Sequence, residues 1–179
     1  FVLEIGPGTG ILTERLLIKA ERVLAIEKDR DMIAILEERF ANEIEMGKLV
    51  IIEGDILKFD PSTLPIGYKL VANIPYYITG AIIEQFLSTE NQPQSMVLLM
   101  QKEVADRIVA RQPSHGGGGQ ARGGKQSVLS IAVNAYGKPK VIAKVPPGAF
   151  NPPPKVDSAI LYIEGISRDF FNHTSEKLF

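Results

Sequence analysis

Apolar and polar residues follow one another along this chain at spacings typical of strands and helices in turn. Short apolar runs predict strands at Phe1–Ile5, Arg22–Ile26, Leu49–Ile52, Leu70–Ala72 and Ser95–Met100. Between them, helical spacing occurs over 11–20, over 32–40 behind a cap at Asp29 or Asp31, over 82–87 behind a cap at Thr79, and over 102–109. Because strands alternate with helices, the pattern predicts an α/β fold with a mostly parallel sheet covered on both faces.

The later part of the chain has a different pattern. Val128–Ala135 and Val156–Ile163 also read as strands, with no long helical stretch between them. Such neighbours form an antiparallel hairpin, which we expect at one edge of the sheet. The Gly-rich stretch Ser114–Lys125 is typical of a flexible connector, with a phosphate-binding loop as the alternative.

Composition narrows the class of protein. The chain has 179 residues, of which 45% are apolar and 23% charged, as in an ordinary globular domain. It has no cysteine, which excludes disulfides, thiolate metal sites and a cysteine nucleophile, and which fits the reducing cytoplasm. No apolar stretch reaches the ~18 residues of a membrane span. The missing cysteines and membrane span fit a protein of the cytoplasm without membrane attachment. We also expect a monomer without a metal.

The charged residues are distributed unevenly. Residues 101–155 contain nine Lys and Arg against Glu103 and Asp106, a net charge of +7, whereas the remainder of the chain carries −8. This asymmetry favours one face or edge that meets a polyanion, and chance clustering on a solvated surface is the alternative.

Three polar features stand where predicted strands end. The turn Gly6-Pro-Gly8-Thr-Gly10 follows the first strand, Glu27 ends the second and Asp55 ends the third. Glycines let a ligand approach the backbone, and the two carboxylates can accept hydrogen bonds from ribose hydroxyls and an adenine amine. Taken singly, Glu27 could face solvent and Asp55 could cap a turn. Together, with a turn that lacks the dinucleotide spacing, they predict a pocket for S-adenosylmethionine.

A fourth strand end carries a possible clamp for an amine-bearing ring. Residues 73–76 read Asn73, Ile74, Pro75 and Tyr76, directly after the apolar run that ends at Ala72. The Asn73 oxygen and a turn carbonyl can accept hydrogen bonds from an exocyclic amine, and the ring of Tyr76 can stack on a base. This arrangement suits chemistry on an adenine nitrogen.

With these motifs in place, the chain resembles the ribosomal RNA adenine dimethyltransferase family of small-subunit assembly. The matching stretches span nearly the whole chain and are 2–10 (Val-Leu-Glu-Ile-Gly-Pro-Gly-Thr-Gly), 25–29, 53–57, 71–78, 99–110 and 145–158 (Val-Pro-Pro-Gly-Ala-Phe-Asn-Pro-Pro-Pro-Lys-Val-Asp-Ser). The last stretch is the most specific, because it is not general to methyltransferases. The resemblance implies a Rossmann-like, S-adenosylmethionine-dependent methyltransferase fold.

The resemblance also implies the roles of individual residues. It places the cofactor among Glu4, Gly6, Gly8, Gly10, Glu27, Lys28, Asp55, Ile56 and Asn73. It places the target adenine at Asn73, Ile74, Pro75 and Tyr76, with Phe150 as an aromatic wall opposite Tyr76, where a simple loop anchor is the alternative role for Phe150. The implied partners are ribosomal RNA and the immature small ribosomal subunit.

The resemblance predicts two parts in the chain and leaves two other functions open. We expect residues 1–164 to be the catalytic domain without its usual N-terminal segment, and 165–179 to be a linker or the start of a C-terminal helical domain. At 123–128 the chain reads Gly-Gly-Lys-Gln-Ser-Val where the family has Tyr-Gly-Arg-Leu-Ser-Val. The alternatives are a resistance-type methyltransferase of large-subunit ribosomal RNA and a non-catalytic RNA-binding assembly factor of the same fold.

Overall fold

A seven-stranded sheet lies between two layers of helices. The computed structural model describes residues 1–73, 76–110, 127–150 and 153–173. The strands are β1 (Val2–Ile5), β2 (Val23–Glu27), β3 (Leu49–Glu53), β4 (Lys69–Ala72), β5 (Ser95–Gln101), β6 (Lys138–Val145) and β7 (Ser158–Glu164). The helices are α1 (Ile11–Lys19), α2 (Arg30–Arg39), α3 (Ala41–Glu45), α4 (Tyr76–Ser88), α5 (Lys102–Val109) and α6 (Val128–Tyr136). None of these described helices is long and apolar enough to cross a bilayer.

The strand order gives the sheet one edge at which most loops converge. The order is β3-β2-β1-β4-β5-β7-β6, and the pairings among β1 to β5 are all parallel. Strand β7 is antiparallel to both β5 and β6, so β6 runs in the same direction as β5. The predicted parallel sheet with an antiparallel edge hairpin is therefore confirmed. The carboxyl ends of β1 to β6 lie at one edge of the sheet, and only β7 runs the other way. Ligands of such sheets bind at that edge.

The hairpin is confirmed, but one of its predicted strands is wrong. Residues 128–136 form α6, in which Ser130, Val133 and Tyr136 are buried at helical spacing. The Ser127 hydroxyl accepts a hydrogen bond from the Ser130 backbone N–H at 3.2 Å and caps this helix. The strand that pairs with β7 is β6, which the sequence analysis missed. The other predicted strands agree with the observed bounds to within one or two residues at each end.

One of the predicted helix caps is confirmed and one is wrong. The Asp29 side chain accepts a hydrogen bond from the Asp31 N–H at 2.9 Å at the start of α2. Thr79, by contrast, lies inside α4, which already begins at Tyr76, and its side chain is buried. The helix thus starts closer to the end of β4 than the sequence pattern indicated, so its first turn faces the carboxyl edge of the sheet.

The two faces of the sheet are covered unequally. The larger core cluster lies between the sheet and helices α4, α5 and α6, and the smaller cluster lies under α1 and α2, over β2 and β3. On the side of the smaller cluster, the apolar residues of β4, β5 and β7 are only half-buried; they are Val71, Val97, Leu99, Ile160 and Tyr162. Within the described residues, this part of the sheet is therefore less completely covered than its opposite face.

We predict that Gly10→Ala destabilises the unliganded protein more than Gly8→Ala. Both glycines have positive φ, 84° at Gly10 and 56° at Gly8. A Cβ at Gly10 would lie 2.5 Å from the Phe40 ring and 2.8 Å from the Leu36 side chain, whereas a Cβ at Gly8 would meet nothing within 4 Å. We expect losses of about 1–2 kcal/mol for Gly8→Ala and about 2–4 kcal/mol for Gly10→Ala.

Urea unfolding followed by circular dichroism measures both variants under the same conditions. Gly8→Ala is the matched control, because it carries the same backbone strain without the collision. Equal losses for the two variants would show that the packing against α2 does not constrain the loop.

Candidate functional site

The loops after β1, β2, β3 and β4 meet at the carboxyl edge of the sheet. Strand register places Ile5 beside Ile26 on one side and beside Ala72 on the other. The next residues, Gly6 and Asn73, therefore leave adjacent strand ends. The structure thus brings the predicted glycine turn and Asn73, the first residue of the predicted amine clamp, next to one another.

The Glu27 carboxylate ties two of these loops together. Its Oε2 accepts the Gly8 backbone N–H at 3.1 Å, and its Oε1 accepts the N–H groups of Lys28 and Asp29 at 2.8 and 3.0 Å. A carboxylate offers about four lone-pair sites, so about one remains, on Oε2. Glu27 is therefore fixed in place before any ligand arrives. It can accept one ribose hydroxyl as it stands, and the second only in exchange for the Gly8 amide.

Helix α2 supports the glycine turn from beneath, which the sequence did not reveal. Arg39 donates one hydrogen bond to the Thr9 carbonyl at 2.9 Å and another to the Glu14 carboxylate at 2.6 Å. Phe40 packs below Gly10, and its ring lies 5.2 Å from the Arg39 guanidinium. An amphipathic helix pattern identifies Phe40 as a core residue, but nothing in it links Arg39 to a loop some 30 residues earlier in the chain.

A cleft of about 410 Å³ opens between the glycine turn and the end of β3. Its lining includes the predicted cofactor residues Gly6, Glu27, Lys28, Asp55 and Ile56, together with Ile5, Ile26, Gly54, Leu57, Tyr77 and Ile78. The volume is within the ~300–1,000 Å³ typical of small-molecule sites. Apolar walls with a few polar groups at one end are suited to a flat heterocycle joined to a polar sugar.

Asp55 is shared between a capping role and the cleft. Its Oδ1 accepts the Leu57 N–H at 3.1 Å, at the start of the 3-10 turn Ile56–Lys58, and its Oδ2 lies 3.6 Å from the Lys28 Nζ. The sequence suggested two roles for Asp55, as a turn cap and as an acceptor for an adenine amine. These roles are compatible, because the cap leaves most lone pairs of the carboxylate available. Its side chain is one-third exposed, so a ligand in the cleft can reach it.

Glu4 lies behind the glycine turn rather than in the cleft. Its side chain is 1% exposed, and neither carboxylate oxygen has a hydrogen-bond partner among the described residues. Burial raises the pKa of this carboxyl from 4.5 to about 7; the nearby Thr13 hydroxyl lowers the pKa, and the charge of Glu27 raises it further. The Glu4 carboxyl is therefore protonated in a substantial fraction of molecules near neutral pH, and at 1% exposure it is closed off from the cleft in this arrangement.

The predicted clamp is only partly within the described residues. Asn73 follows β4 and is exposed at the carboxyl edge, where its side chain is accessible. Ile74 and Pro75 lie outside the described residues, and Tyr76 is described only as the first residue of α4. Tyr77, which the sequence analysis did not single out, is 86% exposed and lines the cleft. The sequence contained one signal for Tyr77, which is that it directly follows Tyr76.

Phe150 reaches the same edge from the hairpin. The connection between β6 and β7 begins at Val145, makes the 3-10 turn Pro147–Ala149 and presents Phe150, whose side chain is half-buried. The Phe150 N–H donates to the Pro147 carbonyl at 3.1 Å, so the backbone there is anchored. Phe150 therefore belongs to the connection that leaves the carboxyl end of β6, on the β5-β7-β6 side of the sheet. Among the described residues, no group of three or more His, Asp or Glu side chains is arranged to hold a metal ion.

Comparison with known proteins agrees with this geometry. The family model for ribosomal RNA adenine dimethylase matches residues 1–179. The chain is 43% identical over 182 residues to ribosomal RNA small subunit methyltransferase A of Dehalococcoides mccartyi, covering 95% of this chain and 58% of that protein. It is 44% identical over 173 residues to the protein of the same name from Rippkaea orientalis, covering 89% and 59%. The chain thus spans somewhat more than half the length of these relatives.

Solved structures show the same fold. A dimethyladenosine transferase from Plasmodium falciparum superimposes with a TM-score of 0.76 at 34% identity, covering 97% of this chain and 58% of that one. The 23S rRNA methyltransferase ErmE superimposes with a TM-score of 0.75 at 28% identity, covering 91% and 60%. TrmK of M. capricolum, solved with S-adenosyl-homocysteine, has a TM-score of 0.62 at 10% identity, covers 91% and 61%, and bears on the fold alone. The predicted Rossmann-like methyltransferase fold is confirmed.

We predict that Glu4→Gln removes part of the pH dependence of folding. The folded-state pKa of Glu4 is raised to about 7 from 4.5, so the stability linked to its bound proton is complete below pH 4.5 and is lost as the pH rises through 7. The loss is on the order of 3 kcal/mol at most. Glutamine does not titrate, so the variant should gain stability relative to wild type between pH 5 and 8.

Thermal unfolding of the unliganded protein across this pH range measures the effect. Glu45→Gln, at an exposed position on α3, is the matched control and should follow the wild-type curve. Parallel curves for wild type and Glu4→Gln would contradict the prediction.

Proposed function

Because the chain belongs to the ribosomal RNA adenine dimethylase family, we propose that the whole protein dimethylates the exocyclic N6 amine of adenines in small-subunit ribosomal RNA, with S-adenosylmethionine as methyl donor. The observation that carries this proposal is the position of Asn73. It leaves the strand end next to Gly6, so an amine acceptor lies beside a cleft suited to an adenosine cofactor.

The residues of the cleft fit S-adenosylmethionine. Glu27 has an acceptor site left for a ribose hydroxyl, and Asp55 is available to an adenine amine. Ile56 and the neighbouring apolar residues suit the faces of the base, and Gly6 allows the methionine part to approach the backbone. Pro7 removes one amide donor from the glycine turn, and the turn lacks the dinucleotide spacing, which disfavours a pyrophosphate. When bound, S-adenosylmethionine supplies a methyl group already activated on a sulfonium.

The chain's own task is then to make the adenine amine nucleophilic. The lone pair of that nitrogen is delocalised into the ring. Hydrogen bonds accepted by the Asn73 side-chain oxygen and the Ile74 carbonyl would favour a pyramidal nitrogen and stabilise the positive charge that develops on it. No proton acceptor of unusual basicity is required for this, because the nitrogen loses its proton readily once it carries a full positive charge.

Aromatic side chains would hold the base in line with the methyl group. A base must leave its RNA stack to reach the cleft. Stacking on Tyr76, with Phe150 as the opposite wall, would compensate for that unstacking, at about 1–3 kcal/mol for each stacked face. The proposal rests here on the position of Phe150 at the carboxyl edge and on the start of α4 at Tyr76. Holding the ring also fixes the distance and angle of attack.

Small-subunit RNA is favoured as the substrate by the relatives. The proteins 42–44% identical to this chain are named for the small subunit, whereas the 23S rRNA methyltransferase ErmE is 28% identical. The immature small subunit in the cytoplasm is the natural form of such a substrate. Because the chain is also similar to ErmE, modification of large-subunit RNA is the alternative function. A non-catalytic assembly factor of the same fold is the third function to be tested.

We predict that Glu27→Gln weakens cofactor binding about tenfold or more. The amide keeps the shape but loses the charge and one acceptor, so it cannot hold Gly8, Lys28, Asp29 and a ribose hydroxyl at once. Isothermal titration of the full-length protein with S-adenosylmethionine measures the change. Glu53→Gln, on the adjacent strand and paired with Arg30 outside the cleft, is the control and should bind as wild type. Unchanged affinity of Glu27→Gln would contradict the proposed cofactor site.

We predict that Asn73→Ala lowers methyl transfer at least 100-fold while RNA still binds. The side-chain oxygen acts on the amine during transfer rather than on the RNA as a whole. Single-turnover transfer from labelled S-adenosylmethionine to unmethylated small-subunit RNA measures the rate. Asn42→Ala, exposed on α3, should retain full activity. Near-wild-type turnover by Asn73→Ala would refute the mechanism.

Mapping the methylated bases decides between the three functions. We expect full-length protein to label adenines of immature small subunits and to leave large-subunit RNA unlabelled. Labelling of large-subunit RNA alone would support the resistance-type alternative. Tight binding of small subunits without any transfer would support the assembly factor.

A further inference from the structure

The two halves of the sheet carry opposite charge. Residues 21–60, which contain β2, α2, α3 and β3, have eleven acidic and six basic side chains, a net charge of −5. Residues 127–164, which contain α6 and the β6–β7 hairpin, have four basic and two acidic side chains, a net charge of +2. Since β3 and β6 are the two outermost strands, the charge difference runs across the whole width of the sheet. The field therefore draws a polyanion toward the β6 side.

Strand β6 carries three exposed lysines along this outer edge, and they are not equivalent. Lys140 forms an ion pair with Glu164 of β7. Lys138 and Lys144 form no ion pair with any described residue, so their charges are available. A bulge between Val141 and Ala143 shifts the register, so Lys138 lies on the sheet face of Glu164, and Lys144 lies on the opposite face, with Ala159.

Strand β6 runs toward the candidate site, so Lys144 lies closer to that site than Lys138 does. Val145, next to Lys144, pairs with Ser158, which in turn pairs with Gln101 at the carboxyl end of β5. Strand β6 lies three strand spacings from β4 and thus about 14 Å from the strand that ends at Asn73. Lys138 lies roughly 20 Å further back along the edge. Lys144 therefore lies nearer to the substrate side of the site and Lys138 farther from it. Both lie on the opposite side of β4 from the cofactor cleft.

We propose that Lys138 and Lys144 bind backbone phosphates of the ribosomal RNA next to the target adenine, so that the outer edge of β6 positions the RNA. This rests on the proposed function, since it requires an RNA substrate at the Asn73 end of the sheet. Lysine is a point-charge ligand for phosphate and reads no sequence, so the edge sets register and orientation while the clamp selects the base. The bulge widens the contact by presenting one lysine on each face of the edge.

The measurement is the salt dependence of RNA binding by the full-length protein. Fluorescence anisotropy with unmethylated small-subunit RNA, transcribed in vitro, gives the dissociation constant over a range of KCl concentrations. We expect Lys138→Gln/Lys144→Gln to reduce the slope of log affinity against log salt by about 2, or roughly one per lysine. The KM for RNA should rise, while kcat at saturating RNA and the affinity for S-adenosylmethionine stay at the wild-type level.

The control variant is Lys19→Gln/Lys48→Gln, which removes the same charge on the acidic side of the sheet, at the end of α1 and before β3. It should keep the wild-type slope. Equal slopes for wild type and the β6 variant would overturn the proposal, and so would equal reductions in both variants, which would indicate net charge alone. Lysines on an edge strand also prevent strand pairing between molecules, so a wild-type slope with new self-association would assign them that role instead. If the wild-type protein itself neither binds nor methylates this RNA, the proposed function fails first.

Discussion

The geometry of the cofactor side depends on a single carboxylate. Glu27 accepts hydrogen bonds from the backbone of Gly8, Lys28 and Asp29, and thereby joins the turn after β1 to the turn after β2. All three donors are backbone groups, so this connection depends on one side chain alone, the Glu27 carboxylate. The cleft is consequently preorganised, and its opening between Gly6 and Asp55 is set by the spacing of β1, β2 and β3 rather than by flexible side chains.

Most of the fold could be predicted from the sequence because buried parallel strands are short apolar runs between helices. The errors in the predicted strands lie at the hairpin, for two physical reasons. Residues 128–135 are rich in β-branched and apolar types, but the Ser127 cap and the helical spacing of the buried residues outweigh that composition. Strand β6 contains three lysines and Pro139, which are unusual in a central strand but suit an exposed edge. Strand β6 is extended because it forms hydrogen bonds with β7. The pattern of a single sequence does not reveal which segments pair in this way.

The candidate site was predictable to the extent that strand ends determine it. Gly6, Glu27 and Asp55 could be placed together because the carboxyl ends of parallel strands share an edge. What the sequence could not show are contacts between distant segments. Arg39 holds the Thr9 carbonyl, and burial leaves Glu4 without a partner behind the turn. The absence of a hydrogen-bond partner for Glu4 holds for the described residues. Both features depend on how α1 and α2 pack over the sheet, and neither residue type indicates this by itself.

The antiparallel hairpin gives the two proposed ligand sites separate structural origins. Everything that lines the cleft comes from β1 to β3 and the start of α4, whereas Phe150 and the lysines of β6 come from a unit attached to the far side of β5. Under the proposed function, a substitution in that unit would change how RNA is held without touching the residues that line the cleft. Such a division would let related proteins acquire different nucleic-acid targets through one peripheral unit while retaining the same chemistry.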